Sequence, residues 1–296
     1  MSTAINQLIE AEGLPADYRE IVDCYWRPLS EDIAERYADN LGGKPLVVGI
    51  NGAQGSGKTT LCRFLEVLLV EHNQRAATLS IDDLYLTRAE RDRLGREVHP
   101  LLATRGVPGT HDPALGLAVI EAFRAGRDLK LPRFDKSIDD RAASAEHVQG
   151  PIEVLLFEGW CLGAVPQDEA ALAEPVNDLE ATEDPDLAWR RYVNEALDGA
   201  YKTLFEQLDM LVMLKVPDFA AVRRNRALQE DKLRARNPGA PGLMDEAALA
   251  RFLDQDERLT LHMLAEMPAR ADLVIEVGRD QRPVSSRPAL PSLGDS

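Results

Sequence analysis

Short apolar runs alternate with amphipathic stretches along most of the chain, and their order predicts the architecture. Leu46-Val47-Val48-Gly49-Ile50 is a continuous apolar run, as a strand buried on both faces of a parallel sheet requires. The period then changes. Leu61, Phe64, Leu65 and Leu68 recur at three- and four-residue spacing, so an amphipathic helix follows at once. Further strands are predicted at 77–81, 152–157, 210–216 and 273–277, with a long helix over 186–207 and another from about Asp245. Residues 1–43 read as a helical N-terminal extension. Tyr18, Ile21, Val22, Tyr25 and Trp26 form its apolar face, which is broken near Pro28 and ended by Gly42-Gly43. Strands alternating with helices predict an α/β/α three-layer sandwich with a mainly parallel sheet.

Polar segments interrupt this rhythm. Residues 84–150 alternate short helices with loops rich in Gly, Pro, His and Arg, too long for a simple connection and best read as a substrate-site insertion. Between Gln167 and Asp186 the chain carries acids and no Lys or Arg, which predicts a solvated loop. Residues 218–242 begin with a basic segment containing Arg223, Arg224, Arg226, Lys232, Arg234 and Arg236, followed by a Pro/Gly-rich loop. This is either a helical lid whose arginines close on an anion or a solvated helix face paired with Glu230 and Asp231. The organisation expected is an extension over 1–43, a main domain over 44–278 and a disordered tail over 279–296.

Composition narrows the partners. A formal charge of −16 over 296 residues argues against nonspecific binding to nucleic acid or an anionic membrane, since both are held chiefly by excess Lys and Arg. Cys24, Cys62 and Cys161 are widely spaced and form no CxxC pair; reduced thiols fit all three best, with packing roles for Cys62 and Cys161. No apolar run approaches membrane-spanning length and no secretory leader is visible, so a soluble cytoplasmic protein is expected. Oligomeric state is left open.

Between the first strand and its helix lies Gly52-Ala53-Gln54-Gly55-Ser56-Gly57-Lys58-Thr59, which matches GxxxxGK[ST]. Backbone N–H groups of such a turn, with Thr60 in the first helical turn, surround a nucleoside polyphosphate. Lys58 reaches its β and γ groups, and the Thr59 hydroxyl is offered to Mg²⁺. Phosphoryl transfer also needs a group to orient or deprotonate the acceptor, and Asp82 ends the second predicted strand with Asp83 beside it. Position alone leaves catalysis and helix capping open for this pair. Glu158 ends the third strand, as a metal-binding acid of the Walker-B type does. The His99–Asp112 stretch and the cations Arg133, Lys136 and Arg141 suit an anionic acceptor, since a carboxylate is costly to bury unpaired. His99 and His111 alone would more often be structural than catalytic.

The ordered set GAQGSGKTT, SIDDLYLT, HPLLATRGVPGTHD, PRFDKS, DRA and LLFEGWCLG resembles the D-glycerate 3-kinases, and the resemblance continues through PVNDLE and RALQE. It covers about Lys44 to Val277 and extends to the wider group of uridine, pantothenate and phosphoribulose kinases. It implies a P-loop NTPase-type fold with a helical lid, the cofactors ATP and Mg²⁺, and a small hydroxy acid as partner. It implies that Asp82 matches the group's catalytic base, and that the 105–112 loop and the region of Lys136 and Arg141 form the acceptor pocket. The expected site therefore joins Lys58, Asp82 and Arg226 for catalysis, Gly52–Thr60 for the nucleotide, and Thr59 and Glu158 for the metal. Asp82, Tyr85, Arg105, His111, Asp112, Lys136 and Arg141 are assigned to the acceptor. Two alternatives differ from phosphorylation of glycerate: the same chemistry on a nucleoside or pantothenate-like acceptor, and a regulatory nucleotide-binding protein. No NKxD sequence selects guanine.

Overall fold

Leu46–Gly52 (β1) is wholly buried, and the sheet is built outward from it. In the computed structural model, which describes residues 2–40, 43–236 and 244–288, nine further strands follow. They are Ala76–Ser80 (β2), Leu129–Leu131 (β3), Phe134–Asp135 (β4), Asp140–Arg141 (β5), Glu146–Val148 (β6), Val154–Gly159 (β7), Met210–Lys215 (β8), Leu273–Val277 (β9) and Pro283–Pro288 (β10). Six of these form one sheet in the order β10-β9-β8-β1-β7-β2, parallel throughout except for the antiparallel β9–β10 edge. The α/β sandwich is as expected. The register matters for function, because Glu158 of β7 pairs with Ile50 of β1 on one side and with Ser80 of β2 on the other. The C-terminal ends of three strands thus share one level, where an open parallel sheet binds ligands.

Alternation along each strand sends side chains to two cores. On one face Val47, Leu79, Leu155 and Phe157 pack with Val119, Ile120 and Phe123 of the Pro113–Arg124 helix and with Tyr201 and Met263. On the other, Val48, Ile50, Leu156 and Val212 meet Leu61, Phe64, Leu65 and Leu68 of the Lys58–Val70 helix. Ile5, Ile21, Trp26, Leu29 and Ile33 complete that second core, and the Tyr18 and Phe64 rings stack at 5.5 Å. The N-terminal helices therefore form the outer layer over the phosphate-loop helix.

Several expectations change. Pro28 does not break the N-terminal helix, because a π turn over Val22–Trp26 precedes it and carries the chain into Arg27–Asp39 without interruption. The predicted helix at 186–207 runs from Ala188 but contains a π turn over Leu197–Tyr201, with Gly199 outside helical geometry. The acidic stretch is not a solvated loop. It holds the helix Asp178–Glu183, capped by Asn177, and its Glu180 and Asp184 are fully buried against Arg258 and Arg190. Those partners lie beyond the stretch in sequence, so charge counting within it could not reveal them. The start of the tail is ordered: β10 folds back on β9 through a turn closed by Gly278 N–H on the Arg282 carbonyl (2.7 Å). An exposed edge strand needs little apolar character, which is why Ser and Pro masked it. The loop expected at 237–242 and the end of the tail lie outside the described residues. Among those described, no helix is long and apolar enough to cross a membrane.

Candidate active site

The phosphate loop turns on two glycines with left-handed backbone, Gly55 (φ 75°) and Gly57 (φ 95°). Gly55 is also fixed by contact, since a Cβ there would lie 2.8 Å from Asn225 Cβ on the helix Phe219–Arg236. The expected lid is thus seated on the loop. Lys58 bends back so that Nζ donates to the Ala53 carbonyl (3.2 Å) across the loop's mouth. Thr59, one residue on, donates Oγ1–H to Glu158 Oε1 (3.2 Å). Burial pushes the Glu158 carboxyl up, against the pull of Lys58.

Beyond β2 the chain tightens into the 3₁₀ turn Ile81–Leu84, whose N-cap Ser80 accepts from Asp82 N–H (3.3 Å). The turn separates two acids that an extended chain would have pointed to opposite faces. Asp82 meets Lys136 Nζ at 2.6 Å, whereas Asp83 accepts from Phe134 N–H (3.0 Å) and Arg133 (2.7 Å) and so anchors the β4–β5 hairpin. Burial alone would raise the Asp82 carboxyl, but Lys136, His111 and Lys58 together draw it down to about 2. Asp83 is raised by burial, which outweighs the Phe134 N–H and Arg133.

These parts open on one cavity of about 540 Å³. Of the residues expected from sequence, Gln54, Gly55, Gly57, Lys58, Thr59, Thr60, Asp82, Tyr85, Arg105, Lys136, Glu158 and Arg226 line it. Gly52, Ala53 and Ser56 belong to the loop but stand outside the lining. His111, Asp112 and Arg141 do not reach the cavity either and form a second row. Asp112 caps the Pro113–Arg124 helix and takes Arg141 Nη2 at 3.0 Å, while Arg141 Nε donates to the Tyr85 carbonyl (2.8 Å). His111 stacks on Tyr85, ring centroids 4.3 Å apart. Tyr201 Oη accepts from Gly109 and His111 N–H groups, so its own proton goes to His111 Nδ1 at 2.7 Å. The imidazole lone pair is thereby occupied and burial lowers its pKa to about 4, which removes it as a base.

Asp83 and Trp160, which flank the expected acids Asp82 and Glu158 in sequence, also line the cavity, whereas sequence reading missed Ser80, Gln229, Met244 and Phe252 in the lining and Asp256 behind it. Asp256 is fully buried on the helix Glu246–Glu266 and accepts from Gln54 Nε2 (2.7 Å). Burial, reinforced by the charge of Asp82, pushes its carboxyl well up. Nothing local in LDQDERL distinguished it, because its significance lies in a contact 202 residues away. Of the basic segment, Arg226 alone among the described residues lines the cavity, set over the Phe252 ring and paired with Glu230 at 2.8 Å. Arg223 and Arg234 are turned to Asp254 and Asp231.

The donor set suits a Mg²⁺ ion held mainly by nucleotide phosphates: a threonine hydroxyl and one buried carboxylate in contact, facing the loop lysine. Among the described residues, no group of three His, Cys, Asp or Glu could hold a metal by itself. Cys62 and Cys161 are buried with their thiols pushed well up by burial, as packing residues should be.

A glycine-rich loop between a central strand and a helix, with one acid at the next strand's end and another facing the same cavity, defines the P-loop kinase class. The comparisons agree. The chain is 34% identical over 206 residues to the uncharacterized kinase mug58 of Schizosaccharomyces pombe, covering 66% of this chain and 73% of that protein. It is also 34% identical over 260 residues to the chloroplastic D-glycerate 3-kinase of Arabidopsis thaliana, covering 81% of this chain. It spans about half (54%) of the Arabidopsis protein's length. The solved structure of D-glycerate 3-kinase from Cryptococcus neoformans superimposes with a TM-score of 0.74 at 27% identity, over 88% of this chain and 97% of that one. No family model matches the chain. The chain belongs to the family of P-loop kinases that includes D-glycerate 3-kinase.

Proposed function

We propose that this chain transfers the γ-phosphoryl group of ATP to the terminal hydroxyl of D-glycerate, giving ADP and 3-phosphoglycerate. The observation that carries this reading is a single cavity whose one wall is the phosphate loop with Lys58, and whose other wall offers Asp82 beside Arg105 and Lys136. The first wall suits a triphosphate. The second suits a small anion bearing a hydroxyl.

The acceptor hydroxyl donates its hydrogen bond to Asp82, which aligns the oxygen for in-line attack and takes the proton as the new P–O bond forms. A carboxylate near pKa 2 is a weak base, but the hydroxyl proton becomes acidic late in a loose transition state, and Asp82 need take it only at that point. Lys58 neutralises charge on the β and γ phosphates, and Arg226 approaches the transferring group from the lid helix. Thr59 and Glu158 would hold Mg²⁺, which supplies charge neutralisation across the phosphates when bound. Tyr85 and Trp160 line the acceptor wall and restrict water, favouring transfer over hydrolysis. An ADP-release assay over D-glycerate, glycerol, uridine and pantothenate tests the assignment. Turnover with D-glycerate well above the others is expected, and no response to it sinks the substrate.

A further inference from the structure

The acceptor side gathers several cations, and their existing partners decide which one can take a carboxylate. Arg141 is engaged twice and stands outside the cavity. Arg133 is held between Asp83 and Glu146 (both contacts near 2.7 Å), and the fully buried Arg91 donates to the carbonyls of Ala103 (3.0 Å) and Asp139 (2.6 Å). Lys136 reaches the cavity, but turning it away would strip Asp82 of its nearest cation. An acid left sheltered and unpaired is destabilising.

Arg105 is placed differently. It lines the cavity and bonds Asp139 through Nη1. Asp139 has a second cation, because Arg91 Nη2 lies 3.1 Å from its other carboxylate oxygen. Asp139 therefore stays paired when Arg105 turns to a ligand. Among the described residues, Nε and Nη2 of Arg105 donate to no protein acceptor, so one edge of the guanidinium fork is available. Its mount is stiff. The guanidinium lies over the Phe134 ring, 5.6 Å from the centroid. The next residue, Gly106, is held from both sides, its N–H on Thr110 Oγ1 (3.2 Å) and its carbonyl on Trp160 Nε1 (3.1 Å). A planar fork on a rigid loop matches a carboxylate's two oxygens in a way that an ammonium does not.

We propose that Arg105 grips the acceptor's carboxylate through two parallel N–H···O bonds and sets the preference for hydroxy-carboxylates over neutral polyols, while Lys136 stays with Asp82. This rests on the glycerate reading above, and its test separates the two. Steady-state rates are measured with D-glycerate and with glycerol, in which CH₂OH replaces the carboxylate, for wild type, Arg105→Gln, Arg105→Lys and Lys136→Met. Thermal melting and binding of a non-hydrolysable ATP analogue check that each variant is folded. Arg105→Gln should raise KM for D-glycerate about 10–100-fold with a much smaller change in kcat, and should collapse the glycerate-to-glycerol selectivity. Arg105→Lys should restore little of it. Lys136→Met should act mainly on kcat and move its acid limb upward, because Asp82 loses the cation that holds it down. A wild type active on D-glycerate whose KM is unmoved by Arg105→Gln, or is raised by Lys136→Met instead, overturns the Arg105 assignment alone. A wild type that phosphorylates neutral acceptors but no hydroxy-carboxylate overturns both readings.

Discussion

Asp82 and Asp83 are neighbours in sequence, yet one 3₁₀ turn gives them different work. Asp82 faces the cavity beside Lys136, and Asp83 pins a hairpin. On the proposed mechanism Asp82→Asn keeps the shape and the orienting hydrogen bond but loses the carboxylate that takes the proton, so kcat should fall by about 10²–10⁴ while the affinity for an ATP analogue changes little. Equal losses in both would make Asp82 a structural residue. Asp256 is a second test at this scale. Its folded pKa is raised above the unfolded value, so the folded chain binds the extra proton and stability declines as pH rises above about 4. Asp256→Asn keeps a carbonyl for Gln54 and removes that penalty. Melting temperature should therefore rise by roughly 2–6 °C at pH 7.5 but hardly at pH 4, as calorimetry would register. The opposite sign holds for His111, whose folded pKa of about 4 lies below 6.5. Its contribution is complete above pH 6.5 and is lost as pH falls toward 4. In His111→Gln the pH dependence of stability should flatten in that window; an unchanged slope would mean that the imidazole is not held neutral.

Elements with strong local periodicity were legible from sequence, and elements defined by distant partners were not. The β1 run, the phosphate-loop helix and the acid ending β7 each announced themselves within about ten residues. The acidic stretch did not, because Glu180 and Asp184 are explained by Arg258 and Arg190, and β10 did not, because an edge strand carries little hydrophobic signal. The site shows the same division. The phosphate loop is a contiguous motif and was readable, whereas Asp256, Met244 and Phe252 join the cavity and its surroundings only through the fold. Arg258 closes on Glu180 with two bonds of 2.8 and 2.7 Å and reaches the Ala171 carbonyl (2.7 Å), tying the acidic segment to the Glu246–Glu266 helix. Arg258→Met removes both short bonds and leaves the buried Glu180 with the Val176 N–H (2.9 Å) and the longer Arg190 contact (3.6 Å), so it should cost about 2–3 kcal/mol in urea unfolding. A loss below about 1 kcal/mol would show that water reaches Glu180 after all.

At the scale of the molecule, a parallel sheet brings three strand ends to one level, and the remaining elements are arranged around that rim. The N-terminal helices cover the back of the phosphate-loop helix, the hairpin insertion brings Lys136 to Asp82, and the basic helix rests on Gly55 with Arg226 turned inward. A phosphate loop and a second wall bearing Asp82, Arg105 and Lys136 on one cavity support the proposed transferase over a switch, because binding a nucleotide alone requires only the first wall. Phosphorus NMR of the product formed from ATP, Mg²⁺ and D-glycerate tests that claim most directly. A phosphomonoester signal split into a triplet by two CH₂ protons, absent with Asp82→Asn, is the predicted result. A doublet, marking the secondary hydroxyl, or inorganic phosphate alone would contradict it.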